Sequence, residues 1–330
     1  MKKHNFSAGP CILPQEVLTK AAEAIVNFNG INLSLIEISH RSKEFVDVME
    51  KARSLVKELL NLPEGYSVLF LQGGASLEFL MTAYNLMKID GKAGYLDTGT
   101  WANNAIKEAK LFGETVVVAS SKDENYNHIP TEYTIPTDAS YFHCTSNNTI
   151  FGTQMKSFPT TNVPLVCDMS SDIFSRTLDF SKFDLIYAGA QKNMGAAGVT
   201  MVVIKKSLLG KVNQKIPVIL DYQKHIEAGS LLNTPPVFSI YVSLLTLRWI
   251  EKEGGLVEME KRNTAKAKLL YDTIDASEHF YCPIAKEDRS IMNAVFFLKD
   301  QSKEVAFLNL CKENGMIGVK GYRTVGGIRV

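Results

Sequence analysis

The chain has 330 residues, of which 45% are hydrophobic and 22% charged, and its formal net charge is +1. That balance belongs to a globular chain, and the near-zero charge gives no electrostatic case for nucleic acid or an anionic membrane as partner. No apolar stretch approaches the ~20 residues of a membrane span, and at roughly 150 residues per domain one large or two unequal domains are expected.

The start, Met1-Lys-Lys-His-Asn-Phe-Ser-Ala-Gly-Pro10, is basic but has no sustained apolar run, so it does not read as a signal peptide. Pro14 opens a helical pattern over 14–28, with Val17, Leu18, Ala21, Ala22, Ile25 and Val26 on one face and Gly30 ending it. A second helix covers 43–60 and stops before Pro63. Residues 66–71 read as a buried strand, and Gln72-Gly-Gly-Ala-Ser76 turns into a helix over 77–87. Then come a strand at 93–97, a helix at 101–112 and a strand at 115–119. Further strands follow at 139–144, 164–167, 185–188 and 199–204. The seven strands and their helices indicate an α/β domain with a mostly parallel sheet flanked by helices. The last two strands are too close for a helical crossover and are expected to pair antiparallel. Long helices at 236–252 and 256–274 flank Gly254-Gly255. A strand at 293–298 and a helix at 302–314 suggest a small α+β domain. The boundary is placed near Glu258: 14–258 large, 259–330 small, with 1–13 joining the small domain.

The chemistry-bearing residues cluster where strands end, the edge at which ligands gather in such sheets. Lys192 emerges after an apolar strand, where a desolvated amine can become neutral and attack an aldehyde. A surface lysine is the ordinary alternative, but Gly195 and Gly198 behind it and the apolar run before it argue otherwise. Asp168 ends a neighbouring strand and can keep a pyridine nitrogen protonated, or simply cap a turn. Gly73-Gly74-Ala75-Ser76 offers backbone N–H groups at a helix start for a phosphate, or forms a plain strand-to-helix turn. It lacks the G-x-G-x-x-G spacing of a dinucleotide fold. Trp101 is placed to stack on a ring, whereas Trp249 reads as core. Thr149, after the 139–144 strand, can donate to a phenolic oxygen or be an ordinary turn residue. His40 and Arg41, and later Arg323 and Arg329, sit in low-charge loops where guanidinium groups could bind carboxylate or phosphate. Together these features point to pyridoxal 5'-phosphate. Five scattered cysteines without a C-x-x-C pair read as reduced cytosolic thiols, and six histidines give no zinc pattern, so no metal is expected.

The ordered set Asn5-Phe-Ser-Ala-Gly-Pro10, Ser39-His-Arg-Ser42, Gln72-Gly-Gly-Ala-Ser76, Thr98-Gly-Thr-Trp101, Cys167-Asp168-Met-Ser-Ser-Asp172, Tyr187-Ala-Gly-Ala-Gln-Lys-Asn193, Asn233-Thr234-Pro-Pro and Gly326-Gly-Ile-Arg329 resembles the phosphoserine aminotransferase family. That is a class V branch of the fold-type I pyridoxal-phosphate transferases, and the resemblance covers essentially the whole chain. It implies amino transfer between L-glutamate and 3-phosphohydroxypyruvate, giving phosphoserine and 2-oxoglutarate, and a parallel use in pyridoxine synthesis. It also implies that Lys192 holds the cofactor and moves the proton, Asp168 meets the ring nitrogen, Trp101 stacks, and Thr149 meets the phenolic oxygen. Ala75, Ser76 and Gln191 would bind the phosphate, with Asn233 and Thr234 from the partner of a homodimer. Arg329 would take the substrate α-carboxylate, and His40, Arg41 and Arg323 the second anionic group. The reduced thiols point to a cytoplasmic location.

Two departures stand out. Tyr322 replaces the histidine usual before the second arginine, and it cannot carry a positive charge. Relatives continue for a strand and helix beyond Arg329, so the small domain is expected to be truncated. The weighed alternatives are another class V transaminase of the alanine or serine:glyoxylate type, and a catalytically impaired binding protein of the same fold. A cysteine desulfurase lacks a candidate catalytic cysteine loop, and a NAD-dependent oxidoreductase lacks its glycine fingerprint.

Overall fold

The computed structural model describes residues 3–330, so Met1 and Lys2 of the N-terminal segment lie outside the described residues. A short strand β1, His4–Asn5, leads to helix α1, Gln15–Val26, which buries Val17, Ala21 and Ala24. Its expected extension to 28 is broken at Asn27, which is extended, and a single 3₁₀ turn follows with Asn29 at φ 50°. Asparagine tolerates that left-handed conformation better than most residues. Helix α2, Lys43–Leu59, buries Phe45, Val48, Met49, Ala52, Leu55 and Val56 at helical spacing. It stops two residues before Asn61, at φ 46°, ahead of Pro63.

Strand β2, Tyr66–Leu71, is buried at every position. Helix α3, Gly74–Leu86, begins earlier than the expected residue 77. Gly73 and Gly74, at φ 96° and 68°, make the left-handed turn that starts it. Next come β3 (Lys92–Asp97), α4 (Thr100–Ala109) and β4 (Glu114–Ser120). They are followed by β5 (Phe142–Thr145), β6 (Leu165–Asp168), β7 (Leu185–Gly189), the single-turn α5 (Ala190–Asn193) and β8 (Thr200–Lys205). The seven strands form one sheet in the order β2-β8-β7-β6-β5-β3-β4. β8 runs antiparallel to both β2 and β7, and the remaining pairs are parallel. The expected antiparallel pairing therefore holds, with α5 too short to act as a crossover.

One face of the sheet packs on α1, α2 and α7 (Val237–Lys252), with Phe28, Phe45, Met49, Leu244 and Leu247 in that core. The other face packs on α3, α4 and α6 (Tyr222–Glu227), around Phe79, Ile106, Tyr187 and Tyr222. A small body follows α8, Gly255–Asp275. It contains β9 (Phe280–Tyr281), β10 (Val295–Leu298), α9 (Glu304–Glu313), β11 (Met316–Ile317) and β12 (Ile328–Arg329). α8 serves both bodies. Leu256 and Met259 pack on the large core, and Tyr271 and Ile274 on the small one. β1 pairs with β11, which ties the N-terminal segment to the small body. No helix among the described residues is long and apolar enough to cross a membrane.

Candidate active site

The parallel strands β2, β3, β5, β6 and β7 end at Leu71, Asp97, Thr145, Asp168 and Gly189. Because these strands share one direction, their last residues lie along one edge of the sheet. The segments that follow carry Ala75 and Trp101 at the starts of α3 and α4, Thr149 in a turn, and Lys192 on the single-turn α5.

Lys192 is fixed by short-range geometry. Met194 N and Gly195 N both donate to Ala190 O, at 3.1 and 2.8 Å, and Ala190 N donates to Val199 O at 3.0 Å. The loop lies tight against α7: a Cβ on Gly195 would stand 2.6 Å from Ser243 Oγ and 3.1 Å from Ser243 Cα. Lys192 Nζ donates to Thr149 Oγ1 at 2.8 Å and lies 5.3 Å from the centroid of the Trp101 ring. Burial pushes its pKa down, while Asp168 and Cys11 pull it up. A lowered pKa raises the neutral fraction that amine attack needs.

Asp168 is buried. Its Oδ1 accepts from the Ser170 backbone N–H at 2.9 Å and from the Ser170 hydroxyl at 2.6 Å. Burial raises its pKa, and Lys192 followed by the Ser170 donors oppose that rise. No hydrogen bond among the described residues falls on Oδ2, which leaves that oxygen for a ring N–H.

The Thr149 loop is held by its own polar contacts. Asn148 N donates to Thr153 O at 2.8 Å, Asn148 Nδ2 donates to Thr153 Oγ1 at 3.0 Å, and Gly152 N donates to Asn148 O at 2.8 Å. Behind it, Asp172 accepts from Ser146 Oγ, from Gln154 Nε2 at 3.2 Å and from Arg176 Nη2 at 2.9 Å. This buried hub joins the loops after β5 and β6, so Thr149 and Asp168 are positioned together.

Two further elements close on the lysine. Gly9 is a close approach: a Cβ there would stand 3.2 Å from Lys192 Cγ. Cys11 N donates to Gln191 O at 2.9 Å. Burial pushes the Cys11 thiol up, against the pull of Lys192 and Arg329. Arg329 arrives on β12, where Nη1 donates to Thr149 O at 3.2 Å and the guanidinium carbon lies 5.9 Å from the Tyr322 ring centroid.

The fold thus gathers Lys192, Trp101, Thr149, Asp168 and Arg329, with Gln191 beside the lysine. Ala75 and the exposed Ser76 open α3, whose first turn has no side-chain cap and so keeps its N–H groups for an anion. Thr234, exposed like Asn233, lies beside this loop, its carbonyl accepting from Gln72 Nε2 at 2.7 Å. Among the described residues, His40, Arg41 and Arg323 make no side-chain hydrogen bond or ion pair with the gathered residues, and Arg41 and Arg323 are exposed. Reading the residues one at a time missed Cys11, Ser170, the Asp172 hub and the ring of Tyr322 under Arg329. Ser170 and Asp172 fall inside one of the ordered motifs, whereas Cys11 only follows the first of them and Tyr322 was marked only as a departure from the family pattern.

The donor set fits pyridoxal phosphate. The Trp101 indole N–H and the Arg329 Nε are buried without partners, the α3 N-terminus is uncapped, and Asp168 has a free oxygen.

A class-V aminotransferase family model matches residues 3–324. The phosphoserine aminotransferase of Flavobacterium psychrophilum is 66% identical over 330 residues, covering 100% of this chain and 93% of that protein. The solved phosphoserine aminotransferase from Bacillus circulans subsp. alkalophilus is 43% identical, with a TM-score of 0.97 over 99% of this chain and 92% of that one. The PLP-bound phosphoserine aminotransferase from Trichomonas vaginalis is 36% identical, with a TM-score of 0.95 over 99% of this chain and 94% of that one. With a family model spanning nearly the whole chain and a relative matched over all of it, the chain belongs to the class-V aminotransferases.

Proposed function

We infer that the protein is a pyridoxal-phosphate-dependent phosphoserine aminotransferase, moving an amino group between L-glutamate and 3-phosphohydroxypyruvate. The reading is carried by the Lys192 amine, desolvated and held at 2.8 Å by Thr149 under the Trp101 ring, in a chain 66% identical to a phosphoserine aminotransferase. The bound cofactor supplies an aldehyde carbon that carries the amino group and a ring that accepts the electron pair left at the substrate Cα.

The protein's residues do the rest. Lys192 holds the cofactor and then takes the proton from the substrate Cα. Asp168 keeps the ring nitrogen protonated by presenting its free oxygen as an anion. Trp101 covers the ring, and Thr149 donates to the phenolic oxygen. The N–H groups at the start of α3, with Ala75, Ser76 and Gln191, take the phosphate. Arg329 binds the substrate α-carboxylate in a two-pronged geometry. His40, Arg41 and Arg323 take the substrate phosphate or the glutamate side-chain carboxylate, a role that brings loops together on substrate binding. Asn233 and Thr234 complete the phosphate site of a second copy, which makes the working unit a homodimer in the cytoplasm. The two bodies divide as 14–258 and 259–330 with 1–13, a reading supported by α8 packing on both cores and by the β1–β11 pair.

The test is direct. Borohydride should fix the cofactor covalently to Lys192, read by mass spectrometry of the peptide. Phosphoserine and glutamate should each convert the cofactor's absorbance, while alanine should not. Trapping on another lysine, or turnover by Lys192→Ala at the parent rate, sinks the reading.

A further inference from the structure

On the sheet face covered by α3, α4 and α6, α3 carries a carboxyl group that the chemistry above does not use. Glu78 is fully buried in the core formed by Phe79, Tyr187 and Tyr222. Its Oε2 accepts from the Tyr222 hydroxyl on α6, and its Oε1 is buried with no partner. No ion pair reaches it among the described residues.

The groups around it are uncharged. Tyr222 faces it from α6, and Tyr222 in turn neighbours Tyr141 and Tyr187 of the sheet. His143 donates to or accepts from Tyr187 at 2.7 Å, and burial holds its pKa down at about 3, so it is neutral. On α4, Lys107 is exposed and Glu108 half-buried, while the packed residues are Ala102, Ala105 and Ala109. Before α6, Val218-Ile-Leu220 carries no charge, Asp221 caps the helix by accepting from Gln223 N at 2.8 Å, and His225 is engaged by Ile219 O at 2.9 Å. A carboxylate with one bare oxygen in such a site carries a large desolvation penalty, which a neutral acid largely avoids.

Position gives this consequence. Glu78 follows Ala75 by three residues, about 4.5 Å along the helix axis. It therefore stands one turn behind the N–H groups that bind the cofactor phosphate. A negative charge there would compete with the phosphate for the positive end of α3.

We propose that Glu78 acts as a neutral carboxylic acid, a positioning residue that ties α3 to α6 through Tyr222 and leaves the start of α3 free for the cofactor phosphate. The proposal rests on the functional reading above. Burial supports it by pushing the Glu78 carboxyl up to about 8, with Tyr222 opposing. Ionisation above that pH puts a like charge behind the phosphate and weakens its binding.

The experiment titrates pyridoxal phosphate into cofactor-stripped protein at a series of pH values from 6.5 to about 9.5, chosen to span the roughly one-unit scatter of protein pKa values. Quenching of tryptophan fluorescence gives the affinity. Ionisation of Lys192 is common to parent and Glu78→Gln, so only the difference between them reports Glu78. The parent should lose roughly tenfold more affinity between neutral and alkaline pH than Glu78→Gln, the factor for a like charge at about 10 Å and an effective dielectric of ~20. Superposable profiles overturn the proposal and leave the function standing. Absence of binding in both proteins at every pH overturns both. Should Glu78→Gln fail to fold, Tyr222→Phe carries the test. It removes the donor that favours the carboxylate, so the alkaline loss should move to higher pH, and an unmoved profile refutes the idea.

Discussion

Asp172 offers the sharpest test of how the site is built. Its carboxylate is paired with Arg176 at 2.9 Å, and the two side chains are 1% and 7% exposed. Ser146 and Gln154 complete the hub. Asp172→Asn keeps the shape, removes the charge and turns an N–H₂ toward existing donors. The Arg176 guanidinium, whose Nε already lacks a partner, is then a buried charge with no counter-ion. Breaking such a pair costs about 3–5 kcal/mol, a large share of the ~5–15 kcal/mol by which folded proteins are stable. Urea unfolding at a fixed, saturating cofactor concentration should show this as a lower midpoint. The decisive comparison is the double variant Asp172→Asn with Arg176→Met. Methionine can pack on Phe158, which the guanidinium now covers at 5.9 Å, and it removes the stranded charge. The double variant should recover to within ~1.5 kcal/mol of the parent, because removing both partners avoids the desolvation penalty. A single variant that loses under ~1 kcal/mol, or a double variant as unstable as the single, refutes the claim that the pair is held by mutual neutralisation.

Gly195→Ala places a methyl 2.6 Å from Ser243 Oγ and 3.1 Å from its Cα. It should cost about 1–3 kcal/mol by thermal unfolding and lower kcat by displacing Lys192, and Ser243→Ala should restore only part because the helix backbone also clashes. Arg329→Ala should raise KM for both substrates by roughly 10- to 100-fold, the loss of a charge-assisted hydrogen bond, with a smaller change in kcat. Glu78 also links stability to pH. Its folded-state pKa, about 8, is raised above 4.5, so its contribution is full below about pH 4.5 and is lost as pH rises through about 8. At about 1.36 kcal/mol per unit the loss reaches ~5 kcal/mol, and Glu78→Gln should flatten the denaturant midpoint across that window.

The sheet was legible because six of its strands are apolar runs buried at nearly every position, the edge strand β4 is marked by its β-branched residues instead, and the helices show apolar spacing. Lys192 and Asp168 were legible because each follows such a run directly. The 3₁₀ break after α1 and the early start of α3 were not. They depend on single backbone conformations at Asn27, Asn29, Gly73 and Gly74, which periodicity does not report. β1, β9, β11 and β12 escaped notice because each has two residues and exists only through its long-range partner. Cys11 and the Asp172 hub were invisible residue by residue, since neither spacing nor residue type marks a contact between segments far apart in the chain.

The charges at the site point in one direction. Burial acts on Lys192 and on Asp168 toward neutrality, and each of the two opposes that effect in the other. On the function proposed above, the carboxylate that holds the ammonium up is also the one that would meet the ring nitrogen. When Asp168 faces a ring N–H, its charge is engaged there, and less of it favours a protonated Lys192. The desolvated lysine would then release its proton more readily. Thr149, 2.8 Å from Nζ, would keep the amine aimed meanwhile. On that reading the two groups would divide the work, Asp168 serving the ring nitrogen and Lys192 acting as the base.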